Sequence, residues 1–317
     1  MAKILVTGGA GFIGSHLVER LLARGDEPLV LDNFNDFYDP AIKRANVERF
    51  PNVRVVVGDI RDRELVDALF DEAKFDAVVH LAAMAGVRPS VQDPLLYEDV
   101  NVRGTMVLLE ALRRHPRTRF VFASSSSVYG ARDRSPFKED DDIPRPVSPY
   151  AATKRAGELV AYTYHHLFGL PVNCLRFFTV YGPRQRPEMA IAKFSAAIER
   201  GDAIPFYGDG STRRDYTYID DIVDGVVGAI DRCEGYEIFN LGESATTSLS
   251  ELVDSLARAI GRPARLDRQP LQPGDVPLTC ADVSKAVRLL GYAPKISVAE
   301  GLRRYVAWRR EAGAPRA

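Results

Sequence analysis

The sequence contains few cysteines, no long apolar run and no excess of either charge. Cys174, Cys233 and Cys280 lie far apart, without a CxxC motif or a Cys/His cluster. This spacing argues against a zinc site and against a secreted disulfide framework, so we expect no metal ion. Lys and Arg number 42 against 43 for Asp and Glu. The net charge of −1 provides no long-range field to attract nucleic acid or an anionic membrane.

The lack of long apolar runs also bears on localisation. The sequence has no uncharged apolar stretch of the roughly 18 residues that a membrane span requires. The apolar run after Met1 is too short for a secretory signal peptide. We therefore expect a cytoplasmic protein. At 317 residues with 46% hydrophobic content, the chain is long enough for two domains.

Strand-like and helix-like segments alternate along the first half of the chain. The strand-like runs, such as AVVHLA and FVFA, show no polar alternation, which is typical of parallel strands covered by helices on both faces. The sequence therefore predicts an α/β fold with a doubly wound parallel sheet. We predict strands at 3–7, 28–32, 53–58, 77–82 and 120–124, and helices ending at residue 24 and spanning 63–72 and 102–114.

The second half of the chain is punctuated by Pro and Gly and predicts a smaller second lobe. Residues 216–240 again resemble a strand, helix and strand of the first sheet, so this lobe is expected to be discontinuous. We predict a cofactor-binding domain at 1–180, with 216–242 returning to it, and a second domain at 181–317.

Three glycines indicate a dinucleotide site. Gly8, Gly11 and Gly14 follow the first predicted strand and begin the first predicted helix, and Asp32 ends the second strand. Such glycines let the backbone approach a pyrophosphate, and the helix dipole favours its negative charge. Asp32 would accept hydrogen bonds from both ribose hydroxyls and repel a 2′-phosphate, which favours NAD over NADP.

Further residues near these strand ends are predicted to contact the cofactor. Asp59, at the end of the third predicted strand, either bonds the adenine amino group or is an ordinary cap of the strand end. The remaining predicted contacts are Phe12, Ile13, Asn33, Ile60, Leu81, Ala82 and Ala83.

Tyr150 and Lys154 are candidate catalytic residues. Their spacing of four places both on one face of a helix, and they follow a run of four serines at the end of the fifth predicted strand. Open α/β sheets bind ligands at this edge. A tyrosine with a pKa of about 10 is a poor base at neutral pH, and two cations, Lys154 and the nicotinamide ring, would lower that pKa. We choose Ser125 to hold the reacting oxygen of the substrate, although spacing alone leaves all four serines open.

The motifs and their order resemble the nucleotide-sugar epimerases of the extended short-chain dehydrogenase/reductase type, most closely the UDP-glucuronate 4-epimerases. This resemblance implies a Rossmann fold, bound NAD, a UDP-sugar substrate and a nucleotide-sugar-binding role for the second domain. It also implies that tyrosinate removes the 4-OH proton while C4 gives a hydride to NAD, after which the ketone turns and takes the hydride back. The matching segments are TGGAGFIG, DNFNDFYDP, GDIRD, HLAAMAGVR, FASSSSVYG, PYAATK, RFFTVYGPRQRPEMA, GDGSTRRDYTYIDD and QPGDV.

The same resemblance distinguishes between reactions at the serine run. Ser125 matches the catalytic Ser/Thr of the family. Related decarboxylases have Glu at the position of Ser127, and 4,6-dehydratases have an Asp-Glu pair at Ser126 and Ser127. Elimination chemistry lacks its acid and base here, so epimerisation is implied.

The resemblance also assigns substrate contacts. Arg88, with Ser126, Ser127 and Thr179, would hold the sugar carboxylate, although Arg88 is equally explained as a loop arginine paired with an acid. Thr179 stands where UDP-glucose epimerases commonly have Asn. Arg186 and Arg214 would bind the diphosphate, Asp275 would lie near the uridine ribose, and Phe206 would either flank the uracil or simply pack in the core.

A homodimer through the helices at 101–114 and 150–168 is implied by the same family pattern. Val107, Leu108, Ala111 and Leu112 provide an apolar face for it, which core packing explains equally well. Three alternative functions remain open: a UDP-glucose/UDP-galactose 4-epimerase, a decarboxylase, dehydratase or reductase on the same scaffold, and a non-enzymatic NAD sensor. Thr179 with the motifs DNFNDFYDP and RPEMA places UDP-glucuronate first.

Overall fold

A seven-stranded parallel sheet forms the centre of the computed structural model, which describes residues 1–132, 134–143, 145–271 and 276–313. In chain order the strands are β1 (Lys3–Thr7), β2 (Glu27–Asp32), β3 (Arg54–Val57), β4 (Ala77–His80), β5 (Arg119–Ser125), β6 (Val172–Phe177), β7 (Thr179–Tyr181), β8 (Ala203–Tyr207), β9 (Arg213–Arg214), β10 (Tyr216–Tyr218), β11 (Tyr236–Leu241), β12 (Thr247–Ser248) and β13 (Arg265–Gln269). The order in the large sheet is β11-β6-β5-β4-β1-β2-β3. This architecture confirms the predicted doubly wound α/β fold.

Helices cover both faces of this sheet. They are α1 (Phe12–Ala23), α2 (Pro40–Val47), α3 (Arg63–Glu72), α4 (Val87–Gln92), α5 (Pro94–Glu98), α6 (Gly104–Arg113), α7 (Pro149–Phe168), α8 (Ala190–Arg200), α9 (Ile219–Asp231), α10 (Leu249–Ile260), α11 (Ser284–Leu290) and α12 (Val298–Glu311). A π-helical turn, Asp99–Arg103, precedes α6, and a 3₁₀ turn, Ser126–Tyr129, follows β5. None of the helices within the described ranges is long and apolar enough to cross a membrane.

The central strands are buried because each face of the sheet contributes to a different hydrophobic core. Ile4 and Val6 belong to one core and Leu5 to the other, and all three side chains are fully buried. Successive side chains of a strand point to opposite faces. The uninterrupted apolar runs in the sequence therefore reflect strands that are covered on both sides.

The segment at 216–240 joins the large sheet only in part. Strand β11 pairs with β6 in parallel, whereas β10 pairs with β7 in a separate two-stranded sheet. Strand β4 also ends at His80, earlier than predicted, because the backbone then leaves the ladder. The Leu81 N–H still bonds the Thr7 carbonyl, but the Ala82 N–H bonds the Thr7 hydroxyl.

The carboxyl ends of β1, β4, β5 and β6 lie at one edge of the sheet. The strand order reverses between β1 and β4, which is where open α/β sheets bind their ligands. A cleft opens at this edge and is lined from the other side by Thr179, Val180, Arg186 and Met189. The fold therefore brings the glycine turn and the first two serines of the run, Ser124 and Ser125, into one cleft.

Candidate active site

The turn between β1 and α1 leaves no room for side chains at its glycines. Gly8 has a φ of 70°, and a Cβ there would clash with the Ala82 backbone. A Cβ at Gly14 would clash with the Gly8 carbonyl oxygen. Gly11 begins α1 without a side-chain cap, and the first turn of α1 contains no acidic residue. The first N–H groups of α1 are thus available to an anion, so this turn fits a dinucleotide pyrophosphate.

Asp32 is buried at the end of β2, with 5% of its surface exposed. Its carboxylate accepts hydrogen bonds from the N–H groups of Ala10 at 3.2 Å and Phe34 at 2.9 Å. The Lys43 Nζ lies 3.6 Å from the same carboxylate and donates to the Asn35 Oδ1 at 3.0 Å. Burial lowers the pKa of Lys43, and the charge of Asp32 opposes this shift.

Lys43 was missed by the sequence analysis. It follows Asp32 by eleven positions with no recognisable spacing, and only the return of α2 to the end of β2 brings the two together. Within the DNFNDFYDP motif, the sequence assigns roles only to Asp32 and Asn33. The structure places four of the missed residues in the cleft lining: Asn35, Phe37, Tyr38 and Lys43.

Asp59 is engaged with its neighbours rather than open to the cleft. It accepts hydrogen bonds from the Arg61 side chain at 2.8 and 2.9 Å and from the Asn33 Nδ2 at 2.9 Å. The Arg61 hydrogen bonds lower the pKa of Asp59 to about 2, against the opposing effect of burial. The other predicted cofactor contacts line the cleft: Phe12, Ile13, Asn33, Ile60, Leu81, Ala82 and Ala83.

Ser125, Tyr150 and Lys154 line the same cleft as Gly8 and Asp32. The Lys154 Nζ donates to the Ala123 carbonyl at 2.8 Å, and burial lowers its pKa to about 7. Burial raises the pKa of Tyr150, whereas a hydrogen bond with Ser125 and the charge of Arg186 oppose the rise. The Ser125 hydroxyl thus favours the ionised form of Tyr150, in the same cleft as a lysine whose pKa lies near 7.

The four serines of the run occupy different environments. The Ser124 Oγ donates to Glu158 Oε1 at 2.6 Å and is buried. The Ser125 Oγ accepts a hydrogen bond from the Ser127 N–H at 3.1 Å and lines the cleft. Ser126 and Ser127 lie in the 3₁₀ turn and are partly exposed. Ser124 and Ser125 both line the cleft. The Ser124 hydroxyl is bonded to Glu158, whereas that of Ser125 lowers the pKa of Tyr150.

The other predicted substrate residues are not all brought together. Thr179 and Arg186 line the cleft, and the Arg186 Nε lies 2.9 Å from Glu188. Arg88 places its guanidinium 5.4 Å from the centre of the Tyr207 ring.

Two further predicted contacts lie away from the cleft lining, and one falls outside the described residues. The Arg214 guanidinium donates to the Arg213 carbonyl at 2.9 Å. Phe206 is 2% exposed and packs in the core. Asp275 lies outside the residues that the structure describes.

A family model described as GDP-mannose 4,6 dehydratase matches residues 5–305 of this chain. The chain belongs to this family. Its members are extended short-chain dehydrogenases/reductases, as the motif order predicts. Curated relatives include the UDP-glucuronate 4-epimerase of Thermodesulfobacterium geofontis, which is 43% identical over 315 residues that cover 98% of this chain and 97% of the relative.

Solved structures extend the likeness to the whole fold. UDP-glucuronic acid 4-epimerase from Bacillus cereus, in complex with UDP-glucuronic acid and NAD, is 36% identical with a TM-score of 0.91, over 98% of this chain and 99% of that one. UDP-glucose 4-epimerase from Thermotoga maritima, with UDP-glucose, is 34% identical with the same TM-score and coverage. The fold alone therefore does not separate the two substrates.

Proposed function

We propose that this protein catalyses the NAD-dependent 4-epimerisation of a UDP-sugar, converting UDP-glucuronate to UDP-galacturonate through a transient 4-keto sugar. The observation that carries this proposal is the meeting of Ser125, Tyr150 and Lys154 in the cleft of the glycine turn. Ser126 and Ser127 place no carboxylate beside this constellation. Relatives and solved structures with this activity match nearly the whole chain.

The chain's own residues explain how the proton moves. The glycine turn and Asp32 would hold NAD, which would supply a reversible hydride acceptor for the sugar C4. Tyr150 accepts the 4-OH proton, for which its phenolate form is required. Lys154, when protonated, stabilises that phenolate, and Ser125 donates a hydrogen bond to the sugar O4. Asp32 holds the adenosine ribose hydroxyls at the far end of the cleft.

The substrate contacts are proposed from position and charge. Thr179, with Ser126, Ser127 and Arg88, holds the C6 carboxylate. Arg186 and Arg214 hold the diphosphate. Within the described ranges Arg214 has no acidic partner and donates only to a carbonyl, which leaves its guanidinium suited to phosphate oxygens. Asp275 is proposed to lie near the uridine ribose, whereas the burial of Phe206 favours the core-packing alternative.

We also propose the domain division and the dimer. Residues 1–180 with 216–242 form the NAD-binding domain, and 181–317 supply the nucleotide-sugar domain. The proposed dimer contact lies on α6 and α7, although Leu108, Ala111 and Leu112 pack in the core. Apolar side chains exposed on these helices support it: Met106, Leu159, Tyr162, Leu167 and Phe168. A monomeric mass by light scattering would contradict the dimer.

Three cysteines without disulfide partners are consistent with a reducing compartment, and we propose a cytoplasmic location. Fractionation of the source cells tests this, since recovery of the protein in a secreted fraction would contradict it.

Proton NMR of the anomeric signals tests the activity, with UDP-glucuronate and UDP-glucose offered separately and without added cofactor. We expect UDP-galacturonate to form without a pentose product, which would also show that NAD co-purifies. Turnover of UDP-glucose alone would show that the substrate is the neutral sugar. Carbon dioxide release would identify a decarboxylase. If neither substrate is converted even with NAD added, both substrate assignments are refuted.

Tyr150→Phe is the decisive variant of this assay. General acid-base groups typically contribute about 10²- to 10⁴-fold, so we expect turnover to fall by that factor while NAD remains bound. Tyr164→Phe is the matched control, because Tyr164 lies on the same helix and donates its hydroxyl to Glu110 away from the cleft. Full activity of Tyr150→Phe would exclude the proposed base.

A further inference from the structure

A buried ion pair lies beneath the catalytic residues and joins β6 to α7. Arg176 donates to Glu158 through Nε at 2.8 Å and through a terminal nitrogen at 2.9 Å. The two residues are 1% and 0% exposed. Arg155 donates to the same carboxylate at 2.7 Å. Burial alone would raise the pKa of Glu158, but these hydrogen bonds and the charge of Arg176 lower it, so the carboxylate stays ionised.

Ser124 connects this pair to the catalytic strand. Its hydroxyl donates to Glu158 at 2.6 Å, and it stands next to Ser125 and opposite Arg176 in the register of β5 and β6. Glu158 follows Lys154 by four residues and Tyr150 by eight on α7, so all three share a helix face. One carboxylate therefore ties the strand that carries Ser125 to the helix that carries Tyr150 and Lys154.

A second arm reaches the turn that carries Ser126 and Ser127. Arg176 donates to the Tyr129 hydroxyl at 3.0 Å and lies over its ring, 4.8 Å from the centre. Tyr129 ends this turn and donates to the Asn240 Oδ1 at 2.7 Å. The network thus contacts every element that presents a serine of the run to the cleft.

A gain in folding stability does not explain this buried network well. Replacing a buried ion pair with apolar residues is often neutral or stabilising, because the desolvation of both charges is costly. A fully bonded buried network does, however, fix the relative positions of the elements it joins. Small displacements of reacting groups are expensive, since about 1 Å can cost on the order of 100-fold in rate.

We propose that Glu158, Arg176 and Ser124 form a positioning unit that sets β5 against α7, so that the Ser125 hydroxyl meets Tyr150. Each acts through Ser125 and Tyr150, since the Ser124 hydroxyl and the Arg176 guanidinium are both bonded to Glu158. This inference rests on the proposed function only in that Ser125 and Tyr150 are taken as the catalytic hydroxyls.

Ser124→Ala is the test variant, because Glu158 keeps its hydrogen bonds from Arg155 and Arg176 and the pair stays satisfied. We expect kcat to fall by about 10- to 100-fold, with KM changed less than about twofold because the removed hydroxyl is bonded to Glu158. Ser195→Ala is the matched control. It also removes a fully buried hydroxyl, which donates to the Ile191 carbonyl at 2.7 Å, on α8 away from the cleft. Its kcat should equal that of the unmodified protein.

A double-mutant cycle separates positioning from a merely structural role. If Ser124 acts through Ser125, then Ser124→Ala should lower kcat less than about twofold in a Ser125→Ala background. Independent losses that multiply would overturn the proposal, and so would a Ser124→Ala protein with lower thermal stability but unchanged kcat.

A second readout needs neither substrate nor cofactor. The ultraviolet absorbance of phenolate, measured as the difference between each protein and its Tyr150→Phe counterpart, reports the pKa of Tyr150. The hydrogen bond from Ser125 lowers this pKa, so Ser124→Ala should raise it and Ser195→Ala should not. Inactivity of the unmodified protein would count against the proposed function alone. An unchanged Tyr150 pKa in Ser124→Ala would count against the positioning unit alone.

Discussion

Lys154 holds an amino group where a positive charge is unfavourable. It is 5% exposed, and its described hydrogen bond goes to the Ala123 carbonyl. Burial therefore lowers its pKa from 10.5 to about 7. Catalytic sites commonly carry such a cost, because the residues that favour reaction are poorly suited to folding.

Lys154→Met should stabilise the fold at neutral pH. The folded-state pKa lies below the unfolded value, so the destabilisation is fully present below pH 7 and is lost as pH rises toward 10.5. We expect the thermal midpoint of Lys154→Met to exceed that of the unmodified protein by about 2–4 °C at pH 7, with the gap closing toward pH 10. The measurement is a pair of calorimetric scans at each pH.

Lys193→Met serves as the control for this comparison. Lys193 is exposed on α8, and its midpoint difference should be near zero at both pH values. A less stable Lys154→Met protein at pH 7 would contradict the burial argument.

The sequence alone does not show which of the four serines at 124–127 is the catalytic one. Spacing offers four neighbouring hydroxyls, and alternate residues of a strand point in opposite directions. The choice depends on Glu158, which is distant in the sequence and accepts a hydrogen bond from the Ser124 hydroxyl. Tyr150 and Lys154 were easier to identify, because helical spacing alone places them on one face.

At the scale of elements, the turn between β1 and α1 makes a direct prediction. A Cβ at Gly14 would clash with the Gly8 carbonyl oxygen and the Gly9 Cα. Such overpacking costs about 1–3 kcal/mol, so Gly14→Ala should weaken NAD binding by about 10- to 100-fold. Titration calorimetry on protein freed of cofactor measures this directly.

Ser15→Ala is the control for the glycine turn. Ser15 lies in the same helical turn and is fully buried, and this change adds no atom. NAD affinity should stay within about threefold of the unmodified protein, well inside the tenfold that 1.4 kcal/mol represents. Equal affinities for Gly14→Ala and the unmodified protein would show that the turn can relax.

Prediction of the elements succeeded where the hydrophobic pattern was long and failed where it was short. The strands of the βαβ repeats are apolar runs with no alternation, which few other structures produce. Strand β10 spans only three residues, Tyr216–Tyr218, too few to show which sheet it joins. The π-helical turn at Asp99–Arg103 left no signal, because an extra residue in a helical turn barely alters periodicity.

At the scale of the molecule, a group of carboxylates limits stability at high pH. Burial, together with the charges of Asp215 and Asp221, raises the pKa of Glu243 to about 7. The fold thus prefers the protonated form. Glu243 costs no stability below pH 4.5, where it is protonated in both the folded and the unfolded state. The cost grows as pH rises above 4.5 and is complete once pH has risen through 7.

Glu243→Gln should therefore raise the thermal midpoint at pH 8 by about 2 °C and leave it unchanged near pH 4. Glu234→Gln is the control, because Glu234 is an exposed glutamate on the surface. Thermal scans of the three proteins across this range provide the measurement. An equal gain at both pH values would show that charge is not the cause.

Strand β6 is buried at every position and lies between β5 and β11. Strand β5 precedes β6 in the chain, but the other neighbour, β11, is synthesised only after α8, β8 and α9. Until residue 241 emerges, β6 is an unpaired strand edge of the growing polypeptide, and four of its six residues are apolar: Val172, Cys174, Leu175 and Phe177. Unpaired strand edges of this kind promote aggregation. We expect its synthesis in the cell to depend on chaperones that shield nascent chains, and its yield to fall when translation outpaces them.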